Sequence, residues 1–123
     1  MQRIAFVASE LARAGAAVIA APIAPHEAGR QAVREAVMHQ AGPGGNFFLI
    51  HVATSLDYCE RTDRSGVYAR ARNGIIKGVV GVDEAFEVPK DANLTVDVTR
   101  HSIPEVVHST SFSGLFPISV HRL

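Results

Sequence analysis

Residues 47–89 read FFLIHVATSLDYCERTDRSGVYARARNGIIKGVVGVDEAFEVP, and this stretch decides the fold class. It opens with seven residues that are apolar apart from His51, which is typical of a buried strand. Residues 54–57 (TSLD) fit a capping box, so a helix should follow directly. A turn at 63–66 and a second short helix at 67–73 come next. Strand, helix and helix in this order predict an α/β fold.

The same alternation extends to both sides of this stretch. Helical spacing of apolar residues predicts helices at 2–14 and 26–40, and the apolar run at 16–21 predicts a buried strand between them. Residues 94–98 predict a third strand, and residues 102–105 (SIPE) fit another capping box. Helices that alternate with apolar strands predict an open parallel sheet with crossover helices.

Both ends of the chain depart from this pattern. The first helix has no strand before it, although a crossover helix normally returns from a strand of the same sheet, so we expect the first unit of the fold to be cut off. A glycine-rich loop is predicted at 42–46, and residues 111–123 lose helical periodicity. We therefore predict a partial domain at 1–110 and a divergent C-terminal tail at 111–123. A sheet cut in this way should expose an unpaired edge or an apolar face.

Composition excludes several classes of protein. Apolar residues make up 47% of the chain and charged residues 20%, which is ordinary for a soluble globular protein. Twelve basic and twelve acidic side chains cancel, so neither nucleic acid nor an anionic membrane is an expected partner. The longest apolar run, 14–25, contains Gly15 and two prolines and is too short to span a bilayer. The only cysteine, Cys59, fits a reducing compartment, and we expect a cytoplasmic protein.

Side chains that could bind a metal or act as a nucleophile are sparse. The six histidines include no pair four residues apart, which is the spacing that lets two of them share a metal from one helix. Cys59 shares a predicted helix face with Leu56, as a small core residue would, and the sequence singles out no base to activate it. We therefore predict no metal site and no catalytic residue in this chain.

The lysines bear on phosphate chemistry. A phosphate loop ends in Gly-Lys-Ser/Thr, whose backbone and lysine cradle the phosphates while the hydroxyl holds Mg²⁺. The chain has two lysines, Lys77 and Lys90, and neither is followed by serine or threonine. The sequence therefore contains no such loop, and we expect no cofactor in this chain.

Lys77 lies in a glycine-rich segment that admits two interpretations. Gly74, Gly78 and Gly81 surround the lysine, directly after a predicted helix that carries two arginines. This composition suits a mobile, positively charged segment that closes over an anionic ligand. The alternative is a surface loop with a solvated lysine, and spacing alone favours that alternative.

Residues 47–89 resemble the signature of the adenylylsulfate (APS) kinase family. The matching motifs follow the family's order over more than forty residues: a strand ending in ATSL, then CE, the turn DRSGVY, a helix ending in ARNG, and the lid IKGVVGVDEAFEVP. Upstream, residues 20–25 (AAPIAP) resemble one branch, the APS-kinase-like C-terminal domain of fungal ATP sulfurylase, in which the kinase's Ile-Ser-Pro becomes Ile-Ala-Pro. The resemblance covers about residues 2–108.

The resemblance implies a P-loop-kinase-like fold, with a parallel sheet and flanking helices, that here lacks its first strand and phosphate loop. Active members use Mg-ATP to phosphorylate the 3′-hydroxyl of APS and produce PAPS. In the fungal branch the domain is catalytically silent and binds PAPS as an allosteric inhibitor. The resemblance therefore implies a regulatory APS- or PAPS-binding domain of sulfate assimilation, with an ATP sulfurylase catalytic domain or a second copy of the chain as its partner.

Two alternatives stay open. The chain could be a fragment of an active APS kinase whose phosphate loop lies outside it, or a truncated product with neither role. Ala24 favours the regulatory branch, because the resemblance implies serine at that position in active kinases.

The resemblance also implies ligand contacts, residue by residue. The family's pocket is lined by a dipeptide, a cation and lid residues, one of them an aromatic side chain that stacks on adenine. The matching positions here are Ile23, Ala24, Ser65, Lys77, Gly78 and Val79, with His101 as a weaker match near the ATP site of active members. Val79 replaces the aromatic residue, whose stacking is worth about 1–3 kcal/mol, and Ser65 replaces the cation, whose hydrogen bond is worth about 1.5–3 kcal/mol. These departures imply a weakened site.

Overall fold

The computed structural model of the chain describes residues 1–40 and 46–110, without the side chains of residues 103, 109 and 110. The predicted tail at 111–123 and, apart from Asn46, the predicted loop at 42–46 lie outside the described residues. Five helices and two strands lie in the described ranges. In chain order they are α1 (Gln2–Arg13), α2 (Glu27–Gln40), β1 (Ile50–Val52), α3 (Leu56–Arg61), α4 (Val67–Arg72), β2 (Leu94–Val96) and α5 (Ile103–Thr110).

The chain divides into two compact units. The helical unit comprises Met1–Phe47 and Gly66–Lys90 and contains α1, α2 and α4. The sheet unit comprises Phe48–Ser65 and Asp91–Leu123 and contains β1, α3, β2 and α5. The domain boundary predicted at residue 110 stays a prediction. No helix within 1–40 or 46–110 is both long enough and apolar enough to cross a membrane.

The predicted parallel sheet is formed in the sheet unit. β1 and β2 pair in parallel, with Ile50 opposite Leu94 and Val52 opposite Val96. Val96 is buried, at 6% exposure. Both strands are shorter than predicted: three residues of each are paired in the ladder, and Leu49 and Ala53 add hydrogen bonds to β2 at either end of β1.

The helix α3 begins one residue later than its predicted capping box. Ser55, and not Thr54, is the N-cap, and its hydroxyl accepts the Tyr58 N–H at 3.3 Å. Thr54 Oγ1 instead accepts the Val98 N–H at 3.3 Å. Because Thr54 comes just after β1 and Val98 just after β2, its hydroxyl extends the pairing of the strands and is not available to the helix.

The capping box before α5 is confirmed. Ser102 N–H donates to Glu105 Oε2 at 2.7 Å, and Glu105 N–H donates to Ser102 Oγ at a longer 3.5 Å. The Ser102 N–H, followed by the Ser102 hydroxyl, holds the pKa of Glu105 below its ordinary value of 4.5.

In the helical unit, α1 packs on α2 and buries small side chains. Ala5 and Ser9 are 2% and 0% exposed, and the Ser9 hydroxyl donates to the Ala5 carbonyl at 2.7 Å. The large apolar residues Ile4, Val7 and Leu11, whose spacing puts them on one face of the helix, are 40%, 56% and 47% exposed. α1 therefore turns an apolar face toward solvent.

The strand predicted at residues 16–21, here called the apolar run, is not formed. α1 ends at Arg13, one residue before its predicted end, and Gly15, with φ of +87°, follows the C-cap. Beyond Ala16, whose N–H donates to the Leu11 carbonyl, residues 17–20 make no backbone hydrogen bond to any described residue. A strand requires such bonds from a neighbouring strand, and Ile19 is accordingly 87% exposed.

Candidate functional site

Five of the seven predicted ligand contacts lie in the helical unit and two in the sheet unit. Those in the helical unit belong to two segments. The tripeptide 23–25 (Ile-Ala-Pro) precedes α2, and the glycine segment, residues 74–84, follows α4. Residues 85–89, here called the trailing segment, continue from the glycine segment.

The tripeptide has a strained backbone that is held by hydrogen bonds. Ala24 has φ of +45°, in the left-handed region that costs a residue with a Cβ about 1–2 kcal/mol. Arg30 Nη1 donates to the Ala24 carbonyl at 2.8 Å and to the Pro25 carbonyl at 3.1 Å. The Ile23 side chain is 70% exposed. The backbone of the tripeptide is therefore held by Arg30, while the Ile23 side chain is exposed to solvent.

Arg30, in the first turn of α2, is 4% exposed, although a guanidinium normally stays in water. Its Nη2 donates to Glu27 Oε2 at 2.6 Å and to the Glu87 carbonyl at 2.7 Å. The guanidinium carbon lies 5.7 Å from the centre of the Phe86 ring, while Nε is buried without a hydrogen-bond partner among the described residues. Arg30 thus joins the tripeptide to the trailing segment.

Glu87 makes a second link between the same two segments. Its N–H donates to the Pro25 carbonyl at 2.9 Å, and its Oε2 accepts the Glu27 N–H at 2.6 Å. A carboxylate is favourable there, because the first N–H groups of a helix lack intrahelical partners. The Glu27 N–H holds the pKa of Glu87 below its ordinary value of 4.5, and His26, with Nδ1 3.5 Å from Oε1, contributes less.

A carboxylate within the glycine segment determines the segment's shape. Asp83 accepts the Gly78 N–H on Oδ2 and the Val79 N–H on Oδ1, both at 2.7 Å. These bonds, that of Gly78 first, hold the pKa of Asp83 below its ordinary value of 3.8, and the Lys77 charge adds a smaller effect. The backbone N–H groups of two predicted ligand contacts are therefore already bonded, whereas the Lys77 side chain is exposed.

The turn in the glycine segment requires glycine for its backbone. Gly78 and Gly81 have φ of +76° and +90°. A Cβ at Gly78 would meet no atom within 4 Å, so backbone conformation alone excludes other residues there. The Gly81 N–H donates to the Glu84 carbonyl at 2.7 Å and closes the turn. The segment is therefore a hydrogen-bonded turn that carries Lys77.

The other two predicted contacts, Ser65 and His101, are exposed residues of the sheet unit. Ser65 Oγ donates to Asp63 Oδ1 at 3.2 Å. His101 lies near Asp97 and slightly lowers the pKa of that carboxyl, for which the Thr99 hydroxyl is the largest cause. The ligand contacts of Ser65 and His101 stay predictions.

Among the predicted ligand contacts in the helical unit, two have exposed side chains, the apolar Ile23 and the cation Lys77. This combination suits a molecule that carries both an apolar surface and an anionic group. Across the ranges 1–40 and 46–110, no group of three or more His, Cys, Asp or Glu side chains is arranged to hold a metal ion.

Sequence reasoning missed Arg30, Asp83 and Glu87. A signal for Arg30 was present, since it lies three residues before Val33 and seven before Val37, on the face of α2 that turns inward. A charged side chain on such a face must find partners. Asp83 and Glu87 belong to the lid motif at 76–89, but the motif did not indicate what they bond, because an acidic residue in a loop gains its partners only when folding brings N–H groups beside it.

Comparison with known proteins tests the predicted family. The family model described as adenylylsulphate kinase matches residues 1–97. The sulfate adenylyltransferase of Aspergillus clavatus is 61% identical over 108 residues, and that of Mycosarcoma maydis is 61% identical over 109 residues. These matches cover 88% and 89% of this chain but 18% and 19% of the two relatives, so the chain spans about a fifth of their length.

The fold is similar to that of the APS kinase of Mycobacterium tuberculosis, which was solved in complex with AMPPNP and APS. The match has a TM-score of 0.82 at 33% identity and covers 92% of this chain and 62% of that chain. The predicted P-loop-kinase-like α/β fold is thereby confirmed. Motif order, family model and fold agree, and the chain belongs to the adenylylsulphate kinase family.

Proposed function

We propose that this chain is a regulatory domain of sulfate assimilation that binds a nucleotide sulfate, APS or PAPS, and transfers no phosphate. One observation carries the proposal: the tripeptide and the glycine segment are both held by hydrogen bonds, in a sequence without any Gly-Lys-Ser/Thr. A phosphate loop supplies the phosphate cradle and the Mg²⁺ hydroxyl, so its absence removes phosphoryl transfer more directly than it removes binding of the sulfated nucleotide.

The relatives support this setting. Two fungal sulfate adenylyltransferases are 61% identical to this chain over the matched region. The APS kinase that shares the fold was solved with APS bound. We extend the proposal to a partner, which is the catalytic region of a sulfate adenylyltransferase (ATP sulfurylase) or a second copy of this chain.

Each exposed part of the site has a role in this proposal. The Lys77 ammonium pairs with a phosphate or sulfate oxygen of the ligand. Ile23 and Val79 provide apolar contact for the adenine ring, and Gly78 permits the turn that presents the lysine. Ala24 offers no hydroxyl, which fits binding without catalysis.

The two lysines of the chain provide a matched test of this assignment. Lys77→Ala should weaken PAPS binding about tenfold or more, because a charge-assisted hydrogen bond contributes about 1.5–3 kcal/mol. Lys90→Ala removes the other lysine, which is also exposed, and should change the affinity less than about twofold. Equilibrium dialysis with labelled PAPS measures both. An equal loss in the two variants would indicate nonspecific charge attraction, and a wild-type chain that binds no PAPS would contradict the proposed function.

A second candidate function is favoured by one observation: the APS kinase of the same fold was solved in complex with AMPPNP as well as APS. On this interpretation the chain is part of an active adenylylsulfate kinase that uses Mg-ATP, with a phosphate loop supplied from outside these residues. Incubating the chain with ATP, Mg²⁺ and APS while following PAPS formation separates the two functions. We expect no turnover above a heat-killed control, and turnover would overturn the regulatory proposal.

A further inference from the structure

Arg30 is the one charged residue that is buried in the described part of the chain. Its ion pair does not account for this burial, because the Glu27 side chain remains 39% exposed. Three of its four hydrogen bonds go instead to the backbone carbonyls of Ala24, Pro25 and Glu87. A buried ion pair often adds less stability than apolar residues of the same volume would. The role of Arg30 is therefore better judged from the two segments that its hydrogen bonds connect than from its ion pair.

The connection uses both ends of the guanidinium. Nη1 bonds the tripeptide through Ala24 and Pro25, and Nη2 bonds the trailing segment through Glu87, which is 57 positions away from Arg30 in sequence. A lysine has one nitrogen on a flexible stem and cannot serve both segments in a fixed geometry. Arg30→Lys therefore keeps the charge and removes the cross-link.

We propose that Arg30 is a positioning residue for the nucleotide-sulfate site, an inference that rests on the proposed function. Its guanidinium holds the trailing segment against the tripeptide. The C-terminal end of the glycine segment, in which Lys77 lies, is thereby fixed. Arg30 is 4% exposed, so we expect no contact between its side chain and the ligand. Arg30 preorganises the two segments before the ligand binds, which lowers the entropic cost of binding.

Hydrogen–deuterium exchange without ligand tests the cross-link itself. In Arg30→Lys, amides of the glycine and trailing segments should exchange about tenfold faster than in the wild type, because this local opening becomes easier. The α1 amides should keep their rates, whereas a merely structural role would accelerate them too. Arg13→Lys is the control, since Arg13 is 64% exposed and pairs with Glu10 at 2.6 Å. Unchanged exchange in the two segments would overturn the proposal.

PAPS affinity tests the consequence for the site. Arg30→Lys should bind PAPS about fivefold or more weakly, and Arg13→Lys within about twofold of the wild type. Faster exchange with unchanged affinity would overturn the positioning role. A wild-type chain that binds no PAPS would contradict the proposed function, and the exchange comparison would then decide the cross-link by itself.

Glu87→Ala provides a second route if Arg30→Lys does not fold. The Glu87 side chain is 52% exposed, and its removal takes away the carboxylate contacts with the Glu27 N–H and with His26 but leaves the Glu87 backbone bonds in place. We expect the same direction of change in exchange and in PAPS affinity, about threefold in each. No change in either measurement would overturn the link between the two segments.

Discussion

The apolar run (16–21) and the trailing segment (85–89) both lie in the helical unit outside its helices, yet they differ in what fixes them. The apolar run reads AAVIAA, its backbone from 17 to 20 bonds to no described residue, and Ile19 is 87% exposed. The trailing segment contains an acidic residue, and its Glu87 bonds to α2 and the tripeptide through its N–H, carbonyl and carboxylate. In this unit, hydrogen bonds to polar groups hold the irregular backbone of the trailing segment in place. The apolar composition of the apolar run does not do the same for its backbone.

This difference has a general cause. An apolar run becomes a strand only where another strand satisfies its N–H and C=O groups. Arg30 instead supplies donors directly to carbonyls of irregular backbone, so the trailing segment needs no neighbouring strand. The same contrast predicts which changes will disturb the molecule.

Removal of Arg30 should have the largest effect. Arg30→Ala leaves the carbonyls of Ala24 and Glu87 without their donor and Glu27 without its cation, and the free energy of unfolding should fall by about 3 kcal/mol. Urea denaturation followed by circular dichroism measures the loss. Arg13→Ala removes an exposed ion pair and should cost less than about 1 kcal/mol. Equal losses would contradict the role of Arg30 in fixing the trailing segment.

Val79→Phe should sharpen the assignment of the glycine segment as the ligand-facing region. A ring at this position restores a stacking surface for adenine, and PAPS affinity should rise about fivefold or more, since stacking contributes about 1–3 kcal/mol. Ile75→Phe places a ring in the same segment at a position that is 69% exposed and matches no family contact. It should leave the affinity within about twofold. An equal gain in both variants would show that Val79 does not line the pocket.

Acid should loosen the glycine and trailing segments and leave the apolar run unchanged. The pKa of Asp83 is lowered mainly by the Gly78 N–H, and that of Glu87 by the Glu27 N–H. A carboxyl with a lowered pKa stabilises the fold above its ordinary pKa, and this stabilisation is lost as pH falls through the folded-state pKa.

Exchange in these segments, corrected for intrinsic rates, should therefore stay constant between about pH 7 and pH 5 and rise below about pH 4. The double variant Asp83→Asn, Glu87→Gln should lack this rise. A rise of the same size in the double variant would show that other groups control the segments.

Ile19→Ser should have the smallest effect on stability, less than about 0.5 kcal/mol, because the side chain is 87% exposed. It should reduce self-association, which we expect from the apolar surface that Ile19 forms with Ile4 and Val7. Sedimentation velocity at high micromolar concentration measures this. A monomeric wild-type chain would show that this apolar surface does not drive self-association.

Local signals explain which parts of the fold the sequence could predict. α1 and α4 each end one residue before the predicted ends at 14 and 73, and the Ser102 capping box forms, because each of these features depends on neighbours in sequence. The prediction of a strand at the apolar run was wrong, because a strand forms only beside another strand, which can lie far away in sequence. The candidate site came from motif order, which included Lys77 and Asp83 but did not show that the Asp83 carboxylate accepts the Gly78 N–H and so shapes the turn.

Hydrogen–deuterium exchange with and without saturating PAPS shows whether the tripeptide and the glycine segment form a nucleotide-sulfate site. We expect slower exchange at Ile23 and Ala24 and across residues 74–84 when PAPS is present, and unchanged exchange in the apolar run. Unchanged exchange in the tripeptide and the glycine segment at saturating PAPS would contradict it.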